Sequence, residues 1–174
     1  MMREPATARL GPSRPAQPAV RVDEPERTSW LLCRAATILV ALPVEHVVEI
    51  MRMLPLEPFA GAPIYVRGLS IIRGAPAPVV DVGVILGGKI TRSARLVAVR
   101  GPARIVALAV DEVIGLTAIA ADALGRLPPL LQEVAADAIS AIGARDVELL
   151  VFLRAGRLVP EDLFARLDAE GAAS

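Results

Sequence analysis

The sequence predicts a mainly β protein, a small barrel or sandwich built from nine short strands. Apolar segments are short and rich in Val, Ile and Leu, and Gly or Pro residues interrupt them. Hydrophobic residues make up 54% of the 174 residues and aromatic residues only 3%, which indicates an aliphatic core. A chain with this much apolar material is not intrinsically disordered along most of its length.

The apolar residues become dense only after a long polar start. Residues 1–28 hold five Pro and five Arg with three large aliphatic side chains, Leu10, Val20 and Val22. A segment of this composition buries too little apolar surface to fold, so we predict a disordered N-terminal tail. One domain is expected over residues 29–168, followed by a short C-terminal tail at 169–174.

Nine segments have the composition and length of strands. They are residues 30–34, 37–42, 66–72, 76–81, 95–100, 105–113, 115–119, 139–144 and 147–153. Residues 100–103 and 143–146 each place turn-forming residues between two apolar runs, which predicts two hairpins.

Helices are predicted at residues 44–52 and 160–167, with a further helical turn at 81–86. In the first segment, apolar residues recur at three- and four-residue spacing after Pro43, which suits a first helical turn. The second starts with Pro, Glu and Asp and places Leu163, Phe164 and Leu167 on one face.

Charge and composition exclude several functional classes. Nineteen basic and nineteen acidic residues give no net charge, whereas a nucleic-acid-binding protein usually has a basic excess and aromatic residues for base stacking. Charged residues interrupt the longest apolar runs, and residues 1–20 lack the apolar centre of a signal peptide, so we expect a cytoplasmic protein without direct membrane insertion. One Cys and one His exclude internal disulfides and Cys- or His-rich metal sites.

Residues 83–89 match the G-x-x-x-x-G-K spacing of a phosphate-binding loop, which would indicate a nucleotide-dependent enzyme. The next residue, Ile90, lacks the hydroxyl that would bind magnesium, and bulky aliphatic residues fill the loop. A Gly-Gly turn that follows a strand is the better interpretation. Calorimetry with ATP and magnesium would distinguish the two.

Other candidates for catalysis have simpler explanations. Cys33 and His46 could form a nucleophile–base pair, but Cys33 lies in an apolar strand and His46 on the polar face of the predicted helix. The carboxylates Asp81, Asp111 and Glu112 end or interrupt strands, where an Asp usually binds the following turn. No catalytic residue, metal or cofactor is therefore predicted.

Arg73 lies between an aliphatic strand and Gly74, in a predicted turn. Arg combines an apolar stem with a rigid fork of donors, a combination that is frequent at protein interfaces. An ordinary solvated Arg is the alternative for this position.

Four motifs occur together in one order along the chain. They are residues 47–50 (VVEI), 62–68 (APIYVRG), 73–74 (RG) with 78–81 (PVVD), and 110–115 (VDEVIG). In this order and spacing the sequence resembles the CheW-like family, the adaptor domains that couple chemoreceptors to a histidine kinase in bacterial chemotaxis. The resemblance implies two SH3-like five-stranded β-barrels packed side by side, in a scaffold that is not an enzyme and has no cofactor.

The resemblance also implies partners and a site. A groove would receive the cytoplasmic tip of a chemoreceptor, and the kinase's own CheW-like regulatory domain would bind another surface, which would recruit the protein to membrane-associated receptor arrays. The groove residues implied by the resemblance are Val47, Glu49, Ile50, Gly68, Arg73, Gly74, Val97 and Val99.

Two departures from the family pattern leave the pathway open. Ile71 replaces the usual Asn before Arg73, and Ala36 lies in a turn that is Gly-rich in the family, where a positive φ would strain it. A related scaffold for surface motility, pili or a diguanylate-cyclase output is therefore the alternative to chemotaxis.

Overall fold

The structure, a computed structural model, describes residues 27–87, 89–92, 94–120, 124–125, 138–146, 148–154, 157–159 and 161–171. Within these residues the chain forms ten strands and two helices. The helices are α1 (Val82–Gly87) and α2 (Glu161–Gly171), and a 3₁₀ turn spans Val44–His46. The strands are β1 (Arg27–Ala35), β2 (Ile38–Pro43), β3 (Val47–Arg52), β4 (Val66–Ile72), β5 (Ala75–Asp81), β6 (Arg95–Arg100), β7 (Ile105–Val110), β8 (Glu112–Ala120), β9 (Ile139–Arg145) and β10 (Glu148–Leu153).

The strands form two five-stranded sheets, as expected. The first sheet has the order β3-β6-β7-β5-β4 and the second has the order β8-β1-β2-β10-β9. Each contains one parallel pair, β5 with β7 and β2 with β10. The two orders are the same if β8, β9, β10, β1 and β2 are taken as counterparts of β3, β4, β5, β6 and β7. The last two strands of this second series are thus supplied by the start of the chain. The sheets are thus two copies of one topology, the second circularly permuted.

The two edges of each sheet are brought together by the chain that leaves its first strand. After β3, the backbone of Glu57 exchanges two hydrogen bonds of 2.8 Å with Leu69 on β4, the opposite edge strand. After β8, Gly125 pairs in the same way with Ile142 on β9. Each sheet is therefore curled toward a barrel, although its edge strands do not pair directly.

The central strands are buried on both faces. On β6, Leu96 and Ala98 contribute to an apolar cluster of the first sheet, while Val97 and Val99 contribute to a cluster that also contains residues of the second sheet. All four side chains are fully buried. Small aliphatic residues fit this arrangement because each strand must pack into two interiors at once.

Helix α2 packs on the cluster shared by the two sheets. Leu163 and Phe164 are 1% and 5% exposed, and each such burial stabilises the fold by roughly 1.5–3 kcal/mol. The helix confirms the prediction at 160–167, of which Pro160 lies outside the described residues. It continues to Gly171, and β1 begins at Arg27. The predicted tails lie outside the described residues at 1–26 and 172–174.

The prediction of a helix over residues 44–52 is wrong. Only the 3₁₀ turn is helical there, and β3 pairs antiparallel with β6. A β-bulge between Val47 and Glu49 explains the misleading spacing. Because of this extra residue, Val47 and Ile50 pair with two residues that share one face of β6, so apolar side chains three residues apart lie on the same side of a strand.

The predicted strand at 105–113 is two strands in different sheets. The chain passes from β7 in the first sheet to β8 in the second at Asp111, whose backbone N–H donates to the carbonyl of Arg34 at 2.8 Å. The Asp111 side chain accepts a further bond of 2.6 Å from the N–H of Ala36. These bonds fix the crossover.

Candidate functional site

The turn between β4 and β5 presents Arg73. Arg73 and Gly74 have φ values of 51° and 78°, so both lie in the left-handed region, as in a tight two-residue hairpin turn. Gly adopts this conformation without strain, whereas it costs an Arg about 1–2 kcal/mol. The turn holds the Arg73 side chain at the surface, with 59% of it exposed.

Arg73 forms an ion pair with Glu49. Its Nε donates to Glu49 Oε1 at 2.8 Å, and 36% of the Glu49 side chain is exposed. Glu49 lies on β3 and Arg73 follows β4, the two edge strands of the first sheet. The fold therefore brings together two residues that are 24 positions apart and that the sequence marks as site candidates.

An apolar surface continues from this pair along β3. Ile50 is 45% exposed and pairs with Val97, while Val47 is half-buried and packs against the shared core. The apolar side chains of β3 therefore continue from the core to the surface, where they lie beside the Arg73–Glu49 ion pair.

Val97 and Val99 lie beneath this edge. The expectation that the strand contributes exposed surface through these two residues needs correction, because both side chains are fully buried. They face the core that joins the sheets, since odd-numbered residues of β6 point to that side. Their contribution to a surface is limited to supporting β3, with which they pair.

The backbone at position 68 requires Gly. Its φ is 144°, and a β-carbon there would lie 2.4 Å from the carbonyl oxygen of Glu57. Only Gly leaves room for the Glu57 backbone, which pairs with the adjacent Leu69. Gly74 differs, because a β-carbon at that position would meet nothing within 4 Å.

An apolar cavity of about 300 Å³ lies between β4 and the segment that follows β3. The sequence motifs did not identify it. The available sequence signal was Ile71, an apolar residue at a position that the alternation of β4 leaves 64% exposed. The cavity is lined by Leu54, Pro55, Glu57, Leu69, Ser70, Ile71 and Pro76.

Cys33 and His46 are not brought together. Cys33 is fully buried in the shared core, and burial raises the pKa of its thiol from 9.0 to about 12, so the thiolate does not form near neutral pH. His46 ends the 3₁₀ turn, with 45% of its side chain exposed and Nε2 3.8 Å from Glu45. The predicted structural role of Cys33 is confirmed.

The predicted turn-binding role of Asp81 is confirmed as well. Its buried carboxylate accepts bonds of 3.2 Å from the N–H of Val84 and from both the N–H and the hydroxyl of Thr91. Arg67 lies 3.8 Å away and adds a favourable charge. Asp111 similarly binds backbone N–H groups of Ala36 and Arg92. Asp81 thus stabilises the turn that follows it, and Asp111 stabilises segments that are distant in sequence.

Residues 83–87 belong to helix α1, not to an open loop. A β-carbon on Gly83 would lie 2.4 Å from the carbonyl oxygen of Lys89, so the segment packs on itself, and the N–H of Val84 is already bonded to Asp81. Gly88, the second residue of the predicted Gly-Gly turn, lies outside the described residues. Helix α1 confirms the helical turn predicted at 81–86.

Among the described residues, no three His, Cys, Asp or Glu side chains are grouped so as to hold a metal ion. No helix in the same part of the chain has the length and apolar composition needed to cross a membrane.

Comparison with known proteins identifies the relatives of this fold. The family model of the CheW-like domain matches residues 29–162. The crystal structure of the scaffolding protein TtCheW from Thermoanaerobacter tengcongensis is similar, with a TM-score of 0.67 and 20% identity, over 76% of this chain and 92% of that one. No curated protein matches the sequence.

Proposed function

Because this chain belongs to the family of CheW-like domains, we propose that it is a non-enzymatic scaffold that couples chemoreceptors to a histidine kinase in chemotaxis. The observation that carries this proposal is the family match, which covers residues 29–162 and includes both sheets except for the first two residues of β1. The similar protein from T. tengcongensis is described as a scaffolding protein.

The receptor would bind at the β3 edge of the first sheet. A helical hairpin carries an apolar stripe, and Val47 with Ile50 offers an apolar surface of matching character. Arg73 would then donate charge-assisted hydrogen bonds to the receptor from the rim of that surface. Glu49 orients the guanidinium in the free protein, so the donor does not have to be ordered on binding.

Gly68, Gly74, Val97 and Val99 support this site from behind. Gly74 permits the turn that presents Arg73, Gly68 permits the Glu57–Leu69 pairing along the same strand, and the two valines pack beneath β3. In this proposal the direct contacts come from Val47, Glu49, Ile50 and Arg73.

The kinase would bind through its own CheW-like regulatory domain at a separate surface. Simultaneous binding in a receptor array makes the second contact effectively intramolecular, so neither interface has to be tight. The scaffold would therefore act in the cytoplasm, next to the receptor arrays.

A pull-down with both partners tests this function. The purified chain should retain the cytoplasmic fragment of a receptor and the regulatory domain of the kinase from the same genome, both separately and together. Arg73→Glu should reduce receptor retention by about tenfold or more and leave kinase binding unchanged. The matched control is Arg145→Glu, another exposed Arg beside a hairpin turn, but in the second sheet.

The outcomes separate the site from the function. Unchanged receptor binding by folded Arg73→Glu would remove Arg73 from the site. Failure of the unaltered chain to retain either partner would overturn the scaffold proposal itself.

A further inference from the structure

A second cavity, of about 380 Å³, lies in the second sheet, away from the Arg73 turn. It is formed where β1, β9 and the end of β10 meet the segment that joins β2 to β3. Its lining consists of Trp30, Pro43, His46, Ser140, Leu153, Arg154 and Arg157. The volume is in the range of pockets that bind small molecules.

The cavity wall is cationic. Arg154, Arg157 and His46 line it and no acidic side chain does, although Glu45 lies 3.8 Å from His46. Among the described residues, neither guanidinium forms an ion pair. Two Arg side chains that line one cavity, with no carboxylate on them among the described residues, give its wall a positive charge that an anion would compensate.

The backbone holds the two Arg residues in place. The N–H of Arg154 donates to the carbonyl of Ala138 at 2.8 Å, and the N–H of Arg157 donates to the carbonyl of Arg154 at 2.9 Å. Both Cα positions are therefore fixed by hydrogen bonds, and a ligand would have to order only the side chains.

Trp30 lines the cavity, and its indole carries a donor that no described residue satisfies. The residue is 92% buried, and its Nε1 is buried without a hydrogen-bond partner among the described residues. The indole packs edge-on against Phe152, with ring centroids 4.8 Å apart. Buried indole N–H groups usually have an acceptor, so this one is a donor that a bound oxygen could satisfy after a small movement of the indole.

We propose that this cavity binds a small organic anion, a carboxylate or a phosphate carried by an apolar body. The guanidinium fork matches the geometry of either group. Trp30, Pro43 and Leu153 supply apolar surface for the remainder of the molecule. The receptor contact of the proposed function lies at the β3 edge of the first sheet, and the anion test uses neither partner, so either proposal can fail without the other.

Trp30 is the only Trp in the chain, so its fluorescence reports on the cavity directly. The probes are phenyl phosphate and benzoate, with neutral benzamide as the uncharged comparison, each titrated to ~10 mM because weak sites have millimolar dissociation constants. Both anions should change the fluorescence with saturation. Benzamide should bind at least about tenfold more weakly.

Variants of the Arg residues assign the binding to this cavity. Arg154→Gln/Arg157→Gln should weaken anion binding by about tenfold or more, while the surface control Arg145→Gln should bind like the unaltered chain. Far-UV circular dichroism checks the fold of each variant. If the double variant does not fold, the single change Arg157→Gln, at an exposed position, provides the same comparison.

Three results would each overturn the proposal. They are no saturable change with either anion, equal binding of benzamide and benzoate, and unchanged binding by the folded Arg variants. Saturable, charge-dependent binding that is lost in those variants supports it.

Discussion

Arg73 Nε lies 2.8 Å from Glu49 Oε1, which joins the β4–β5 turn to β3 across the open side of the first sheet. The partners come from the two edge strands, so this contact exists only in the curled sheet. Both side chains are more than one-third exposed, which limits what the pair contributes to stability.

The first prediction is that the Arg73–Glu49 pair positions Arg73 and hardly stabilises the fold. In a double-mutant cycle with Arg73→Gln and Glu49→Gln, the coupling free energy in urea unfolding should be below about 1 kcal/mol, because exposed ion pairs are screened by water. Receptor retention should nevertheless fall in Arg73→Gln. A coupling above about 2 kcal/mol would show that the pair is mainly structural.

The second prediction concerns Gly68, for which Gly115 is a matched control. The φ values are 144° and 150°, but only at Gly68 would a β-carbon approach the backbone, at 2.4 Å from Glu57 O. Gly115→Ala should cost about 1–3 kcal/mol from backbone strain, and Gly68→Ala about 1–3 kcal/mol more from the clash. Equal losses in thermal unfolding would contradict the role assigned to the Glu57–Leu69 pairing.

The third prediction is that Ala36→Gly stabilises the protein. Ala36 has a φ of 54° in the β1–β2 turn, as its place in a Gly-rich turn of the family led us to expect. Relief of the left-handed strain should exceed the entropy that Gly adds to the unfolded chain, giving a net gain of about 0.5–1 kcal/mol. Ala103→Gly is the control, because Ala103 is also in a hairpin turn but has no positive φ, and it should give no gain.

The fourth prediction concerns alkaline pH and Cys33. Burial raises the pKa of Cys33 in the folded protein to about 12, whereas it is near 9.0 in the unfolded chain. The stabilising effect of the protonated thiol is therefore complete below pH 9 and is lost as the pH rises toward 12. Each pH unit in this window should cost about 1.4 kcal/mol.

Cys33→Ala isolates this effect from other groups. Burial also raises the pKa of Tyr65, which titrates in the same direction, so the measured quantity is the difference between the two proteins in urea unfolding at pH 7 to 10. The variant should be less stable at pH 7, because it loses packing, but the difference should narrow above pH 9. Parallel pH profiles would mean that the thiol titrates normally.

Several strands were predicted correctly from the sequence, whereas the segment at 44–52 was not. Strands such as β4 and β6 were predicted with their observed limits, because short aliphatic runs bounded by Gly or charged residues have few alternatives. The segment at 44–52 was predicted as a helix because the bulge after Val47 imposes a three-residue spacing on a strand. A bulge is a property of the pairing with β6 and cannot be read from the segment alone.

The candidate site was predicted in part. The motifs that resemble the family contain Glu49, Gly68 and Arg73, and the structure brings Glu49 and Arg73 into contact. Nothing in the strand at 95–100 indicated that Val97 and Val99 would be buried, because a strand with both faces covered has no alternation of polar residues. The cationic cavity was also missed, since Trp30, His46 and Arg157 are distant in sequence.

The sequence by itself determined the aliphatic β class, the family, and the residues that turns require, because these depend on composition and on local backbone preference. The tertiary structure alone decided which edges meet, which faces of β6 are buried, and where His46, Arg154 and Arg157 come together. Those features depend on contacts between residues far apart in the chain, such as Arg73 with Glu49, and Glu57 with Leu69. These contacts form only when the sheets have curled and packed together.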